Sequence, residues 1–340
     1  MWFLRLGLLV LLAGLAAPTA AQTSSGRLTP ADFGFRRLVV LFGRDSVQVL
    51  VQSPKGQEHV RKPLLLWAQG SLPRPALLYD AAGPYGAVPF LAEKDRLDCH
   101  LVLISKPGIP LVGDIRLLDA SNSFTNKVTH CPPPFYCQRN YLDYYVRRDE
   151  AVLRYLKKQP WVDKTRVIIG GHSEGSAVVA HLAAVPGLVS RVVYLSGSPL
   201  GRELTEVARN PAETTATGVE AEFADWQRAV DHPDQNDCTP GDSNKNIYSH
   251  GQSQLPFLMK VKVPIFVGYG TRDAGAGAND YLRLEAIRQH KTNFTFRAYL
   301  GREHNFFRLK ANGQPNYDED YWAVVGQEFL RWAGLGPVAK

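Results

Sequence analysis

The stretch Val167-Ile168-Ile169-Gly170-Gly171-His172-Ser173-Glu174-Gly175-Ser176-Ala177 constrains this 340-residue chain more than any other. A β-branched apolar run ends in Gly-x-Ser-x-Gly and passes at once into small, helix-compatible residues. That order reads as strand, sharp turn and helix. A backbone that doubles back so tightly leaves no room for side chains at 171 and 175, where glycine stands. A serine hydroxyl is a poor nucleophile in water, so a chain that uses one holds it exposed and strained beside a base.

The turn resembles the nucleophile elbow of the α/β-hydrolase family, with His172 and Glu174 at its two variable positions. The resemblance implies an α/β fold with a mostly parallel central sheet, helices on both faces and a cap insertion. It also implies that an acid and then a histidine follow the serine. Asp273 and His304 stand in that order, each just beyond an apolar run that reads as a strand. Asp280 and Glu303 are nearby carboxylates. Of the nine histidines, His304 follows the last strand, between Gly301 and Phe306-Phe307, whereas His181 falls inside a helix and His172 inside the turn. Open parallel sheets gather their functional loops at the carboxyl ends of the strands. The expected catalytic residues are Ser173 as nucleophile, His304 as base and Asp273 as the acid that orients it.

In the same family the loop after an earlier strand often carries a His-Gly or Gly-Gly pair whose following N–H helps to hold an oxyanion. Here Pro63-Leu64-Leu65-Leu66-Trp67-Ala68 runs into Gln69-Gly70-Ser71, with glutamine in place of histidine. A glycine lets the backbone approach the developing charge. The resemblance therefore implies oxyanion donors at the backbone N–H groups of Ser71 and Glu174, and acyl chemistry that needs no cofactor and no metal.

The remaining chain fits that frame. Residues 37–42 and 46–51 read as a hairpin around Gly43-Arg44-Asp45. Apolar runs at 63–68, 101–105, 191–196, 263–270 and 294–300 read as strands, and their continuous burial signal suits a sheet covered on both faces. Residues 141–158 read as an amphipathic helix with Tyr145, Val152, Leu153 and Leu156 on one side and Arg147 and Arg148 elsewhere. Further helices are expected over 279–290 and 318–332. Between about 201 and 260 the pattern shifts to two helical runs and a loop dense in Asp, Asn, Pro and Gly, the expected cap insertion. Phe223, Trp226, Phe257 and Leu258 either line an acyl pocket there or glue the cap to the body. Asp231, His232, Asp234, Asp237 and Asp242 form a solvated loop without recognised cation-ligand spacing.

Residues 1–21 have the layout of a secretory signal peptide: Arg5, an apolar run from Leu6 to Leu15, and small residues through Ala20 and Ala21. The run is short for a membrane span, so a mature domain from residue 22 to 340, secreted or periplasmic and with no stable span, is expected. Losing Arg5 takes the formal net charge from +7 to about +6. No Lys/Arg block interleaved with aromatics accompanies that charge, so no nucleic-acid partner is expected. Four cysteines in an exported chain permit disulfides. Cys131 and Cys137 bracket a stiff proline loop they can close, which leaves Cys99 for Cys238; four free thiols are the other possibility. Asn293-Phe294-Thr295 is a glycan acceptor pattern.

The expectation is an exported serine hydrolase acting on a small-molecule acyl substrate, a carboxylic ester before an amide or thioester. A serine peptidase of the acyl- or dipeptidyl-peptidase type is the alternative, and a catalytically silent binding protein on the same fold is a third. Such peptidases usually carry a large β-propeller, for which this length has no room.

Overall fold

The structure, a computed structural model, describes residues 28–85, 87–91, 97–209 and 216–336. The signal peptide expected at 1–21 lies outside them. Eight strands build the central sheet: β1 (Phe35–Phe42), β2 (Asp45–Gln52), β3 (Lys62–Ala68), β4 (His100–Ile104), β5 (Val162–His172), β6 (Arg191–Leu195), β7 (Ile265–Gly270) and β8 (Phe294–Tyr299). Their spatial order is β1-β2-β4-β3-β5-β6-β7-β8. The β1–β2 hairpin is antiparallel, β2 pairs antiparallel with β4, and every pair from β4 to β8 is parallel.

Strand geometry explains why the middle runs are unbroken in hydrophobicity. Successive side chains point to opposite faces, and both faces are covered. Leu64 and Leu66 join the core beneath helices α1 (Leu142–Leu156) and α2 (Glu174–Ala183), while Leu65 and Trp67 join the core on the other face. Among the described residues, four helices lie between β6 and β7: α3 (Arg202–Arg209), α4 (Ala216–Asp231), α5 (Asn244–Gly251) and α6 (Leu255–Lys260). Then come α7 (Ala276–Arg288), after β7, and α8 (Trp322–Ala333), which packs Val325 and Phe329 on the second face. No helix among the described residues is long and apolar enough to cross a membrane.

Several details depart from the sequence reading. Arg148 is not on the solvent side of α1: it is buried, with Nε 2.6 Å from Asp149 and one nitrogen donating to the Ser105 carbonyl. A side chain with several donors can be accommodated inside when each finds an acceptor. Two short strands that the sequence reading does not contain, Leu77–Asp80 and Val112–Asp114, pair in parallel outside the central sheet. Cys137 bonds Cys238, 101 residues apart, and neither the Cys131–Cys137 nor the Cys99–Cys238 bond forms. The proline loop keeps Cys131 off Cys137 by turning into a helical turn, Pro134–Cys137, whose last residue faces the 231–242 loop.

Of the four large apolar residues noted between 201 and 260, three pack against other side chains. Trp226 stacks on Tyr248, and a side chain at Gly251 would run into its ring. Phe257 lies on His181 of α2, Leu258 is fully buried in the core, and Phe223 is half exposed. In the acidic loop Asp242 pairs with Arg202 and Asp234 with Lys245. The Asn293 amide donates to the carbonyls of Val261 and Val263, so the acceptor nitrogen of the glycan pattern is already engaged.

Candidate active site

Ser173 lies between β5 and α2 at φ 58° and ψ −128°. Such a conformation costs a non-glycine residue about 1–3 kcal/mol and persists only where its surroundings enforce it. Here they do. A Cβ on Gly171 would fall 2.2 Å from the Gly175 carbonyl oxygen, and one on Gly175 would fall 2.4 Å from that of Ala68, at the end of β3. The Ser173 N–H donates to the Leu195 carbonyl at the end of β6, and Ser176 Oγ donates to the Ser173 carbonyl.

The acid and the histidine arrive from loops beyond β7 and β8. A Cβ on Gly270 would fall 2.2 Å from the Arg302 carbonyl oxygen, so these loops are pressed together where β7 ends. Asp273 accepts from the Gly275 N–H with one oxygen and from His304 Nδ1–H, at 3.0 Å, with the other. His304 Nε2 lies 2.9 Å from Ser173 Oγ. With the proton on Nδ1, Nε2 is the acceptor for the serine hydroxyl. Burial alone would raise the Asp273 carboxyl, but the hydrogen bond and charge of His304 outweigh it and hold it below the usual carboxylate range. Asp280 is instead bonded to the Tyr269 hydroxyl, and Glu303 accepts the N–H groups of Asn305 and Phe307 inside its own loop. Neither is free to serve His304.

Two neighbours of Ser173 have side-chain surroundings that the linear chain did not disclose. His172 is partly buried, and its Nε2 donates to the His304 carbonyl at 2.8 Å, because a carbonyl only accepts. Its ring lies against those of His304, Phe306 and Trp322. Burial, with His304 adding to it, pushes the imidazole down to about 3, so it stays neutral. Glu174 points the other way, into a buried ionic group. Lys106 Nζ is 3.0 Å from one oxygen; His250 Nε2 and Arg202, both from the insertion, are 3.6 and 4.0 Å from the other. Burial would raise this carboxyl, but Lys106 and then His250 and Arg202 overcome it and take it to about 2. His250 itself is held down to about 4 by burial, so at neutral pH the two permanent cations carry that effect.

The two N–H groups expected to hold an oxyanion belong to Glu174 itself and to Ser71, just past the end of β3. Glu174 opens α2, and the first N–H groups of a helix have no partner within it. The end of β3 lies against the elbow: a methyl built on Gly70 would be 3.7 Å from Ser173 Cβ, an ordinary contact. Glycine is therefore not forced there by the protein's own packing. Its bare backbone leaves space beside Ser173, and Ser71 follows it, exposed. The Gln69 oxygen is buried without a hydrogen-bond partner, in a small cavity shared with Lys106 and Glu174.

No protein-family model matches the chain, and no curated protein matches it in sequence. Solved structures do match it. Against the acylaminoacyl peptidase of Pyrococcus horikoshii the TM-score is 0.52 at 13% identity, over 90% of this chain and 42% of that one. A Mycobacterium tuberculosis puromycin-hydrolyzing peptidase gives 0.53 at 14%, over 91% and 41%. Acetyl xylan esterase 1 from Thermoanaerobacterium sp. JW/SL YS485 gives 0.51 at 14%, over 88% and 83%. The chain thus spans less than half the length of these two peptidases. With its strand order, its turn at Ser173 and these matches, the chain has the α/β-hydrolase fold.

Proposed function

We propose that this chain is an exported serine hydrolase that cleaves a carboxylic ester through an acyl-enzyme. The observation that carries the reading is the connected path Ser173 Oγ, His304 Nε2, His304 Nδ1, Asp273, at 2.9 and 3.0 Å, on a strained turn. His304 takes the Ser173 proton as Oγ attacks the carbonyl carbon. The oxyanion that forms is held by the N–H groups of Glu174 and Ser71, worth about 2.7–4 kcal/mol for one such donor. His304 then protonates the leaving alcohol, and a water activated by the same imidazole releases the acid. Asp273 stays ionised and steadies the imidazolium. Helices α3 to α6 form the cap over this edge of the sheet, and the leader at 1–21 directs export, a reading the Cys137–Cys238 bond supports.

The second reading is a serine peptidase. The matches to the acylaminoacyl and puromycin-hydrolyzing peptidases favour it, and the same residues would serve an amide. Nitrophenol release from short-chain nitrophenyl esters tests the first reading. The mature protein is expected to be active and a folded Ser173→Ala variant to lose at least about 10⁴-fold in kcat. Ester inactivity alongside cleavage of peptide anilides would transfer the same machinery to amides, and inactivity on both would leave a binding protein.

A further inference from the structure

Three of the four cysteines meet at one place, where the insertion is tied to the body. Cys137 is the buried last residue of a short helical turn and is bonded to Cys238 in the 231–242 loop. Cys131 remains a thiol and is partly exposed. Its Sγ lies 3.7 Å from the Cys238 carbonyl oxygen and 3.5 Å from that of Thr129. The carbonyl oxygen of the next residue, Pro132, lies 3.4 Å from Cys238 Sγ and 3.7 Å from Cys137 Sγ. The loop that presents the thiol is itself built: the Asn126 side chain accepts the N–H groups of Val128 and Thr129, and Asn126 N–H donates to the Cys131 carbonyl. Cys99, the other thiol, is sealed in the core, where burial pushes it up to about 12.

We infer that Cys131 is an internal thiol–disulfide exchange site, which gives the insertion two alternative covalent anchors. The Cys131 thiolate attacks Cys238 Sγ, the Cys131–Cys238 bond forms, and Cys137 leaves as a thiolate that takes up the proton Cys131 lost. One sulfur–sulfur bond breaks and one forms, so the step consumes neither oxidant nor reductant.

The two anchors differ physically. Cys137 sits beside Tyr136, whose ring is 5.8 Å from Lys106 Nζ, and Lys106 holds Glu174 next to Ser173. Bonded to Cys137, the insertion is fastened to the packed group that surrounds the elbow. Bonded to Cys131, it is fastened six positions earlier, to a surface loop. The exchange stands on the placement of the Cys131 thiol beside Cys238 and its bond to Cys137; that the anchored segment is a cap rests on the proposed function above.

Mapping the cross-links of the full mature chain tests this. Samples held for equal times at pH 5 and pH 8.5 are acid-quenched, blocked with N-ethylmaleimide, digested without reduction and read by mass spectrometry. The wild type is expected to shift from one cross-link to two as pH rises, with Cys131–Cys238 appearing as the label moves from Cys131 to Cys137. Cys131→Ser should show Cys137–Cys238 alone at both pH values. Cys137→Ser, produced in the same oxidising compartment and folded by circular dichroism, should show Cys131–Cys238. A wild type with Cys137–Cys238 alone at both pH values would overturn the inference, as would a folded Cys137→Ser chain with Cys131 and Cys238 both free. A Cys131–Cys137 product would overturn it too, because the attacked sulfur would be the wrong one.

Discussion

Two histidines, His172 partly buried and His250 buried, lie around Ser173 and Glu174, and they are held in opposite ways. His172 donates to the His304 carbonyl and is boxed in by His304, Phe306 and Trp322. His250 comes from the insertion and lies 3.6 Å from Glu174, and its Nε2 makes no hydrogen bond. Burial keeps both neutral at neutral pH, one down to about 3 and the other to about 4. The His304 flank is thus set by direction, through one bond to a backbone carbonyl. The flank of the insertion is set by charge balance, with Lys106 and Arg202 against Glu174 and Asp242. A directional contact positions an atom. A charge balance holds two segments together, and fails when one charge is removed.

The comparison can be broken most severely on the directional side. Asp273→Asn should leave the fold intact, by circular dichroism, and lower kcat on nitrophenyl esters about 10⁴-fold, since the amide would stabilise the wrong imidazole tautomer. On the ionic side, Glu174→Ala leaves Lys106 buried and unpaired, and urea unfolding should show a loss of about 3–5 kcal/mol. Replacing Lys106 by Met and Glu174 by Leu together should restore most of that loss, which would separate charge balance from packing. His172→Phe keeps a ring in the box but removes the donor to His304. We expect kcat to fall about 10- to 100-fold with little change in KM, the signature of a displaced base rather than a weakened substrate site.

The smallest effect is the dependence of stability on pH. The folded value of His250, about 4, lies below its ordinary 6.5, and that of Glu174, about 2, lies below its ordinary 4.5. Between these limits the unfolded chain binds more protons, so stability rises with pH. The His250 contribution is complete above pH 6.5 and is lost as pH falls toward 4; the Glu174 contribution is lost between 4.5 and 2. His250→Gln should flatten the fall in Tm between pH 6.5 and 4. An unchanged slope would mean that His250 is not held neutral by burial.

Much of the fold was legible because its signals are local. Gly43 announces the β1–β2 turn and the leucines of β3 their two-sided burial. The rim of the site was less legible. Arg148 reads as a surface residue from its place off the apolar side of the helix, and the buried Asp149 carboxylate with the Ser105 carbonyl gives its guanidinium partners inside. Leu258 and Trp226 read equally as pocket or glue, since an apolar face does not say what covers it. His172 carried a faint signal, as the last residue of a buried strand that ends at the glycine-bracketed turn, but its acceptor is 132 positions away.

By itself the sequence determined the turn that presents Ser173, because Gly171 and Gly175 are required by contacts within a few residues and with the end of one neighbouring strand. It determined the strands of the central sheet, because an unbroken apolar run marks burial on both faces. It also set the order serine, aspartate, histidine along the chain. The tertiary structure alone decided which carboxylate faces His304, which cysteine Cys238 bonds, and that Lys106, Arg202 and His250 share one oxygen pair on Glu174. Those pairings join segments from about 30 to 100 residues apart through loops of irregular path, and no local pattern encodes where such loops bring their side chains.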